Sequence, residues 1–543
     1  MAAALVLGVV ASFVWLAAQA RTEESSAAAA SGDATAKTGS KADVVFRSDF
    51  EPANQPAAWS GKPEYAAGFE SERSLCVRSE ARGENAGASL RLSLPAAQLR
   101  GRLLRASAMV KAADVSDRPQ PWNGIKLMLA IETPDRKLWP QADLGTGTFD
   151  WKRASFSARI PADATTVNLV VGLERVTGTV CFDNILIAAP KPRSAPLPAA
   201  ASGPAYRGHD LPRLRGTMVS PTIDEPSLRT LGNEWHANLI RFQLIRHGRV
   251  GQAAGLDDYD AWLETELKRL DALLPLCVKY GIYVVVDLHS PPGGKATSGG
   301  YMGTDDRLFT DKAVQDKFVE VWRQIARRYR NAKPIWGFDL ANEPVEEFVE
   351  ENCDDWHDLA ERAARAVHDI DPQRTLIVEA PPWGSPDSLS DFIPIDVPNV
   401  VYSAHMYVPG GFTHQGVYDP KQKPVSYPGE VDGKYWDKKA LEAALKPVMD
   451  FQKRYNVHIY MGEFSAIRWA PGDSACRYLR DVIEIFEEHH WDWSYHAFRE
   501  WQGWSVEHGG DRNDTRPTTH PTDRQFLLLE WFGKNQKPSW AEQ

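Results

Sequence analysis

The chain has 543 residues, more than one hydrophobic core usually organises, so we expect two folded domains. Hydrophobic residues make up 43% and charged residues 25%, as in ordinary soluble globular proteins. The net charge is −10 and no basic stripe interrupts the sequence, which argues against a nucleic acid partner.

The N-terminal segment carries the signature of export. Residues 2–20 contain no charge and end in Ala18-Gln19-Ala20, a small-x-small pattern before Arg21 that is typical of a secretory signal peptide. The run is also long enough to span a bilayer and has no basic residue before it, so an uncleaved membrane anchor is the alternative. Both interpretations predict a secreted, periplasmic or cell-surface protein. Residues 21–42, rich in Ala, Ser, Thr and charge, are typical of a disordered linker.

Residues 43–190 have the sequence pattern of an antiparallel β-sandwich. Short stretches of alternating hydrophobicity, such as Ser89–Leu94 and Ile125–Ile131, are separated by turn residues, and we see no segment of helical period between them. The end of this block, from Trp151 to Ile185, resembles a jelly-roll carbohydrate-binding module. Three tryptophans of the block are candidate platforms for stacking on sugar rings, with core or edge packing as the alternative for each: Trp59, Trp122 and Trp139.

Cysteine usage leaves one question open. The five cysteines are scattered, and neither a Cys-x-x-Cys pair nor a His-rich cluster occurs, which argues against a structural zinc site. Cys76 and Cys181 both lie in the predicted sandwich and could pair in an oxidising compartment. Two buried thiols are the alternative.

After a Pro/Ala-rich linker at residues 191–206, the rhythm changes to strand and helix in alternation. Residues 207–535 contain eight predicted strands with helices between most of them, which indicates a (β/α)8 TIM barrel, followed by a tail at residues 536–543. The predicted strands are Arg213–Val219, Ala237–Phe242, Ile282–His289, the apolar part of Pro334–Pro344, Thr375–Glu379, Val400–His405, His458–Glu463 and Trp493–Phe498. The predicted helices are Asp258–Lys279, Asp311–Tyr329, Asp355–Ile370, Lys438–Tyr455 and Ser474–His489.

The fourth strand carries the clearest chemical signal. It is apolar until Asn342 and Glu343, and Pro344 then ends it because proline cannot donate a ladder hydrogen bond. Both polar residues therefore stand at the carboxyl end of a buried strand, where barrel enzymes do their chemistry. Taken alone, Glu343 could also be a strand-end carboxylate paired with a surface arginine.

Other strands end in the same way. Each of the following residues stands at or just after the end of a predicted strand: Arg241, His289, His405, Tyr407, Glu463 and Trp501. Each alone has an ordinary structural explanation, but a barrel brings all strand ends to one rim. Their coincidence predicts a single site built from residues far apart in sequence.

The motifs Leu239-Ile240-Arg241, Asp287-Leu288-His289, Asn342-Glu343-Pro344, His405-Met406-Tyr407 and Gly462-Glu463-Phe464 resemble those of glycoside hydrolase family 5 in order and spacing. The resemblance covers residues 207 to about 535. It implies a TIM barrel with catalytic glutamates on strands four and seven. That family commonly has a Trp on strand eight, whereas here Tyr495 is followed by His496, so we assign that position to Trp501.

The resemblance implies a role for each site residue. Glu343 is the expected acid/base and Glu463 the nucleophile of a retaining mechanism, with their carboxyl groups about 5–5.5 Å apart. Arg241 is the one cation we expect beside Glu463, keeping it ionised, and Tyr407 should donate a hydrogen bond to it.

The remaining expected contacts concern the sugar. Asn342 is expected to bind the sugar 2-hydroxyl, and His289 and His405 to touch the sugar or orient the carboxylates. Trp501 would form the floor of the sugar subsite. We expect neither a metal nor another cofactor.

The substrate is the least determined part of the prediction because loops set it. Pro291–Gly294 and the long loop Val408–Trp436 are the expected cleft walls. We expect an endo-β-1,4-glucanase acting as a monomer on a polysaccharide or oligosaccharide. β-Mannan, xyloglucan and exo-acting β-glucosidase activity are alternatives within the family, and a non-catalytic carbohydrate-binding protein is the alternative from another class. The 19 tryptophans favour carbohydrate in either case.

Overall fold

The computed structural model describes residues 42–52, 58–61, 63–80, 87–190, 193, 209–246, 256–294 and 305–541. The predicted N-terminal segment at 1–20 lies outside the described residues, as do both predicted linkers apart from Ala42 and Arg193. Within the described ranges, no helix is both long and apolar enough to cross a membrane. The described residues form two compact units, one within Ala17–Arg193 together with Glu347–Glu351, and one within Ser194–Glu346 and Asn352–Gln543.

The first unit is built from ten antiparallel strands and one short helix, α1. The strands are β1 Ala42–Ser48, β2 Glu64–Ala66, β3 Ser74–Ser79, β4 Gly87–Leu94, β5 Leu103–Val115, β6 Gly124–Glu132, β7 Lys137–Leu138, β8 Gly147–Arg159, β9 Thr166–Glu174 and β10 Gly178–Pro190. Helix α1 is Ala96–Leu99, so one helical turn does interrupt the strands, contrary to the sequence prediction.

These strands form two sheets. One has the order β2-β3-β10-β5-β8, with β1 also pairing with β10, and the other has the order β4-β9-β6-β7. Alternate side chains of both sheets meet in one apolar core that includes Leu127, Leu129 and Ile131 of β6 and Val180 of β10. The sandwich prediction is therefore confirmed, because strands with period-two hydrophobicity can bury only one face each.

Two of the sandwich cysteines are joined. Cys76 of β3 and Cys181 of β10 lie directly opposite each other in the antiparallel ladder and form a disulfide. Of the two alternatives left open by the sequence, the structure has the paired one. Trp59 is 9% exposed and packs edge-on against Phe46, so this tryptophan belongs to the core and is not a surface platform.

The second unit is a closed barrel of eight parallel strands, which confirms the predicted (β/α)8 fold. Its strands are β11 Arg215–Val219, β12 Leu239–Gln243, β13 Tyr283–Asp287, β14 Ile335–Asp339, β15 Thr375–Glu379, β16 Val400–Met406, β19 Ile459–Phe464 and β20 Asp492–Phe498. A hairpin of β17 Gly429–Val431 and β18 Lys434–Trp436 stands in the loop after β16.

Helices cover the barrel. They are α2 Glu225–Arg229, α3 Tyr259–Tyr280, α4 Arg307–Thr310, α5 Lys312–Tyr329, α6 Trp356–His368, α7 Gly410–Thr413, α8 Lys438–Tyr455, α9 Ser474–Glu488 and α10 Asp523–Phe532. Aspartates cap several N-termini, as where Asp437 accepts a hydrogen bond from the Ala440 N–H at the start of α8. Gly281 ends α3 in the left-handed conformation, with φ of 70°.

The two ends of the barrel differ in polarity. An apolar cluster that includes Leu214, Tyr283, Trp336 and Tyr460 fills the amino-terminal end. The carboxyl ends of the strands carry buried charged residues instead. Residues 536–541, predicted as a tail, pack on the barrel. The ring of Trp540 lies edge-on to that of Tyr283, with 5.1 Å between the ring centroids.

Candidate active site

Glu343 stands beyond the carboxyl end of β14 in a constrained backbone conformation. Its φ is +44°, in the left-handed region that non-glycine residues rarely occupy. Its backbone N–H donates a hydrogen bond to Glu379 Oε2 at 2.8 Å, which holds the turn in place. Pro344 follows directly, so the strand cannot continue. Strain of this kind commonly accompanies a functional position.

Glu463 lies within β19 and is fully buried. Arg241 Nη1 donates to Glu463 Oε1 at 2.6 Å, and the Tyr407 hydroxyl donates to Glu463 Oε2 at 2.9 Å. Both predicted partners of this carboxylate therefore contact it. The closed barrel brings its strand ends to one rim, so Arg241 reaches Glu463 although 222 positions separate them in the chain.

The two glutamates face each other across a small gap. A carboxylate oxygen of Glu343, one of Glu463 and a ring nitrogen of His405 all lie within 4.8 Å of one another. Retaining glycosidases hold their two carboxyl groups about 5–5.5 Å apart, whereas inverting enzymes need a wider gap for a water molecule. The separation here fits the retaining geometry.

Arg241 of β12 is the centre of a buried ionic cluster. Its guanidinium lies within 3.3 Å of carboxylate oxygens from four strands, those of Asp287, Asp339, Glu379 and Glu463. Burial opposes the charge, but these carboxylates together raise the pKa of Arg241 well above its usual value. Because a guanidinium presents five donors in a fixed plane, it can hold several carboxylates in place at once.

His405 links the two glutamates. Its Nδ1 lies 2.8 Å from Glu343 Oε1 and 3.8 Å from Glu463 Oε2, and its Nε2 lies 3.1 Å from Glu379 Oε1. Burial alone would lower the pKa of His405, but Glu379 and Glu463 raise it well above the ordinary value. His405 therefore carries a positive charge between three carboxylates.

The environment separates the pKa values of the two glutamates. Burial raises the pKa of Glu343; the bond from His405 opposes this, and the charges of Glu463 and Glu379 add to it. Burial also favours the neutral form of Glu463, but His405, His496 and Arg241 outweigh it and lower the pKa of Glu463 well below its usual range. The environment thus favours the protonated form of Glu343 and the anionic form of Glu463.

Asn342 and His289 complete the predicted set around Arg241. Arg241 Nη2 donates to Asn342 Oδ1 at 2.9 Å, and Asn342 Nδ2 lies 3.3 Å from His289 Nε2. The other ring nitrogen of His289, Nδ1, lies 2.8 Å from Asp287 Oδ2. The sequence placed these residues at strand ends, and the structure brings both of them to the cluster.

Strand eight departs from the sequence prediction. The β20 side chain that contacts the site is His496, whose Nδ1 lies 3.4 Å from Glu463 Oε2. Trp501 instead packs edge-on against Trp469 and Trp504, at 5.8 and 5.4 Å between ring centroids. The expectation that Arg241 is the one cation beside Glu463 is therefore wrong. His496 lies within β20 and not at its end, so the strand-end pattern does not predict this contact.

Four further acidic residues belong to the site, and sequence reasoning assigned none of them a role: Asp287, Asp339, Glu379 and Glu500. A signal for the first three existed, because each is the last residue of its strand, β13, β14 and β15. Burial raises the pKa of Asp339 well above its usual value, and Arg241 offsets this only in part. The cluster therefore contains more than one carboxyl group that favours the protonated form.

A pocket opens beside Glu343. It is lined by Pro291, Gly293, Gly294, Asp305, Leu308, Phe309, Ala341, Asn342, Glu343, Pro344, Val345 and Trp383. Trp383 is 38% exposed, and the predicted wall Pro291–Gly294 also lines the pocket. Tyr418, in the second predicted wall, is 48% exposed, and its pKa is raised by burial and by the charge of Glu343. Exposed rings beside a carboxyl group suit a sugar, which has apolar faces and polar edges.

Two groups of described side chains have the composition of metal ligands: Glu343, His405 and Glu463 at this site, and His209, His458 and Asp492 elsewhere in the barrel. In the first group, His405 Nδ1 lies 2.8 Å from Glu343 Oε1 and its Nε2 lies 3.1 Å from Glu379 Oε1, so both ring nitrogens face carboxylates. In the second group, His209 Nδ1 accepts a hydrogen bond from the Leu211 N–H, and its Nε2 lies 2.9 Å from Asp492 Oδ2. Contacts among the side chains themselves account for both groups.

Comparisons with known proteins identify the family of the chain. The family model described as cellulase (glycosyl hydrolase family 5) matches residues 204–501. Endoglucanase C of Acetivibrio thermocellus is 30% identical over 260 residues, which are 43% of this chain and 73% of that protein. Cellodextrinase A of Ruminococcus flavefaciens is 26% identical over 232 residues, which are 42% of this chain and 66% of that protein. A crystal structure of a glycoside hydrolase matches 59% of this chain and 99% of its own, with 25% identity and a TM-score of 0.47. From the family match and these relatives, the chain belongs to the cellulase family, glycosyl hydrolase family 5, and is a glycoside hydrolase.

Proposed function

We propose that the protein is a retaining endo-β-1,4-glucanase in which Glu343 is the acid/base and Glu463 the nucleophile. The observation that carries the proposal is the gap of no more than 4.8 Å between carboxylate oxygens of these two residues. Endoglucanase C, the relative that is 30% identical, supports the substrate assignment. β-Mannan and xyloglucan remain alternatives because the cleft walls decide the substrate.

The mechanism follows from the separated pKa values. Glu463, held as an anion, attacks the anomeric carbon, while Glu343 gives its proton to the leaving oxygen. The negative charge of Glu463 disappears when the ester forms, so one cause of the raised pKa of Glu343 is removed. Glu343 can then take a proton from water, which attacks the same carbon and releases the sugar.

The other site residues support this cycle through their contacts. Arg241 and Tyr407 each donate to a different oxygen of Glu463, which fixes the rotation of the carboxylate. Arg241 donates a hydrogen bond to Asn342 Oδ1 and so fixes the side-chain amide of Asn342. In our proposal this amide faces the 2-hydroxyl of the sugar. Trp383 and Tyr418 would contact sugar rings on either side of the scissile bond.

A polysaccharide panel tests the proposal. Purified full-length protein is incubated with carboxymethylcellulose, β-mannan and xyloglucan, and reducing ends and product lengths are measured. We expect the viscosity of the carboxymethylcellulose solution to fall rapidly while few reducing ends are released, because internal cleavage shortens long chains with few cuts. The matched control is Glu463→Ala, which should release none. Equal release by Glu463→Ala, or no release by the wild type from any polysaccharide, contradicts the proposal.

We also propose that the β-sandwich binds glycan through the outward face of its four-stranded sheet. Trp122 and Trp139 are 61% and 58% exposed, which is unusual for indoles without a partner to cover them. Trp139 follows β7 and continues its pairing with β6, since Pro140 O accepts from Leu129 N and Ala142 N donates to Leu127 O. Because Ala142 lies in the core, Trp139 and Gln141 face outward.

A network of polar contacts links the Trp122 backbone to Gln141, two residues after Trp139. Lys126 is 4% exposed, and its ammonium group contacts the Trp122 carbonyl, Gln141 Oε1 at 2.8 Å and Glu174 Oε2 at 2.8 Å. Gln141 Nε2 donates to the same Trp122 carbonyl at 3.3 Å. The two exposed indoles thus belong to chain segments that also carry amide and carboxylate groups, a combination that suits an uncharged sugar chain.

Retention on insoluble cellulose tests the sandwich proposal. In a Glu463→Ala background, Trp122→Ala and Trp139→Ala should each reduce the bound fraction. Phe526→Ala is the matched control, since Phe526 is 60% exposed on helix α10. Unchanged retention in both tryptophan variants contradicts the proposal.

We further propose that the protein acts outside the cytoplasm. The uncharged segment at residues 2–20 and the disulfide between Cys76 and Cys181 support this, because structural disulfides persist in oxidising compartments. Detection of the protein in the medium, periplasm or cell envelope tests it, and a purely cytoplasmic pool contradicts it.

A further inference from the structure

The strand-eight histidine, His496, forms a chain of polar contacts that ends at the nucleophile. Its side chain is 6% exposed. Nδ1 lies 2.5 Å from the Tyr407 hydroxyl, which in turn donates to Glu463 Oε2 at 2.9 Å. Nε2 lies 3.5 Å from Glu500 Oε2, which also accepts a bond of 2.7 Å from Gln243 Nε2. The order of contacts is therefore Glu500, His496, Tyr407 and Glu463.

The direction of the two Tyr407 bonds fixes the proton on His496 Nδ1. A phenol has one proton, and Tyr407 gives it to Glu463, so Tyr407 must accept the bond from His496 Nδ1. The other ring nitrogen faces a carboxylate. An imidazolium is the form that carries a proton on both nitrogens. Burial alone would lower the pKa of His496, but the charges of Glu463 and Glu500 raise it to about 10.

Other groups around His496 leave this charge in place. His414, after α7, has its pKa lowered to about 4 by burial and by the charge of His496, so it stays neutral. Trp504 covers the ring, with 5.8 Å between ring centroids. From the other side of Glu463, His405 and Arg241 face the carboxylate rather than His496. The positive charge of His496 is therefore directed at Glu463 and Glu500.

We propose that His496, anchored by Glu500, is a positioning residue that stabilises Glu463 as the departing anion in the second half of the reaction. The inference rests on the proposed function, since it assigns a role within that double displacement. This role is additional to the hydrogen bonds that Arg241 and Tyr407 donate to Glu463. It depends on a positive charge on strand eight, which an indole could not supply.

The electron pairs of the two steps show where the charge acts. In the first step, Glu463 forms a bond to the anomeric carbon, the bond to the leaving oxygen breaks, and Glu343 protonates that oxygen. In the second step, water bonds to the carbon, its proton passes to Glu343, and the ester bond breaks with its electron pair returning to Glu463. A cation beside Glu463 stabilises the anion, so it slows the first step and accelerates the second.

Kinetics on an activated glycoside separate the two steps. The probe is 2,4-dinitrophenyl β-cellobioside, whose leaving group needs no proton, so kcat reports the second step and kcat/KM the first. The variant His496→Asn keeps an amide donor near the position of Nδ1 and loses the charge. We expect its kcat to fall by about ten- to a hundredfold, as for loss of a charged hydrogen bond, with kcat/KM unchanged or raised. Mass spectrometry should show the glycosyl-enzyme accumulating.

Glu500→Gln is the second variant. It removes the carboxylate that anchors Nε2, so the pKa of His496 should fall and the alkaline limb of kcat should move to lower pH. The matched control is His458→Asn, a buried histidine at the opposite end of the barrel, which should change stability without changing the ratio of kcat to kcat/KM.

The outcomes distinguish the inference from the function on which it rests. The inference alone is overturned if the wild type is active but both variants, His496→Asn and Glu500→Gln, behave in one of two ways. Either kcat and kcat/KM fall in parallel, or neither constant changes. Wild type that is inactive on the probe and on every polysaccharide overturns the proposed function, and the inference with it.

Discussion

The barrel contains two buried clusters of histidine and carboxylate that differ in what they do. At the carboxyl ends of the strands, His405 lies between Glu343 and Glu463. At the amino ends, His209 and His458 both bond to one carboxylate oxygen of Asp492, at 2.9 and 2.8 Å. The residue types are the same, so the difference lies in how many acids share the available donors.

In the amino-terminal cluster, a single carboxylate receives several donors. Besides the two histidines, the Leu214 N–H donates to Asp492 Oδ1 at 2.7 Å, and Arg213 Nε lies 3.8 Å away. Burial favours the neutral form of Asp492, but the bonds from His209 and His458 outweigh it and lower its pKa. This arrangement stabilises the fold and leaves no acid with a proton to give.

In the catalytic cluster, the carboxylates compete for the cations. Arg241 and His405 face the carboxylates of Asp287, Asp339, Glu343, Glu379 and Glu463. Ionising all of these acids in a buried site would be costly, so some remain protonated. A surplus of buried acids over cations therefore creates the proton that catalysis needs.

Removal of either glutamate that we propose as catalytic, Glu343 or Glu463, should have the largest effect. Glu343→Ala should lower hydrolysis of carboxymethylcellulose by about 10²–10⁴-fold, the usual contribution of a general acid, and Glu463→Ala should lower it further. Azide should partly rescue Glu463→Ala and give a product of inverted anomeric configuration, which NMR of the products detects. Near-normal turnover by either variant would contradict the role assignment.

Asp492→Asn should reduce stability more than any other of the proposed substitutions. It removes the negative charge that two buried imidazoles face and replaces one of two accepting oxygens with an NH2 donor, so we expect a loss of about 3–5 kcal/mol in the free energy of unfolding. The folded-state pKa of Asp492 lies below the ordinary 3.8, so its contribution is present above pH 3.8 and is lost as pH falls below it. Urea unfolding at several pH values measures this. A lowered kcat in the folded variant would mean that the two clusters are coupled.

Glu343→Gln should have the opposite effect on stability. Because the folded-state pKa of Glu343 is raised above 4.5, its ionisation costs stability as pH rises through 4.5. The glutamine variant avoids that cost, so at neutral pH it should be more stable than the wild type. Thermal unfolding at pH 4 and pH 7 checks this, and a variant less stable than wild type at pH 7 would refute the surplus-acid interpretation.

The pH profile of kcat/KM should show the smallest effect. Activity should be lost at low pH only when Glu463 is protonated, well below 4.5, and lost at high pH when Glu343 gives up its proton, above 4.5. Initial rates on a soluble cello-oligosaccharide define both limbs. A profile whose alkaline limb persists unchanged in Glu343→Gln at its residual rate would show that another group sets that limb.

Much of the architecture could be predicted from local pattern. The strand Thr375–Glu379 and the helix Lys438–Tyr455 have the predicted bounds, because apolar runs, aspartate caps and stop residues act over a few positions. Trp540 could not be placed, because its partner Tyr283 is more than 250 residues away in the chain. The Cys76–Cys181 pairing needed the register of β3 on β10.

Sequence pattern was enough to predict the barrel, the sandwich and the strand-end residues Arg241, Asn342, Glu343 and Glu463, since period and strand ends are local properties that a parallel barrel converts into one rim. Folding in three dimensions was needed to show that His496 contacts Glu463 and that Trp501 packs against Trp469. It was also needed to show that burial raises the pKa of Asp339 as well as that of Glu343, because a pKa depends on the sum of burial and charge from every strand at once.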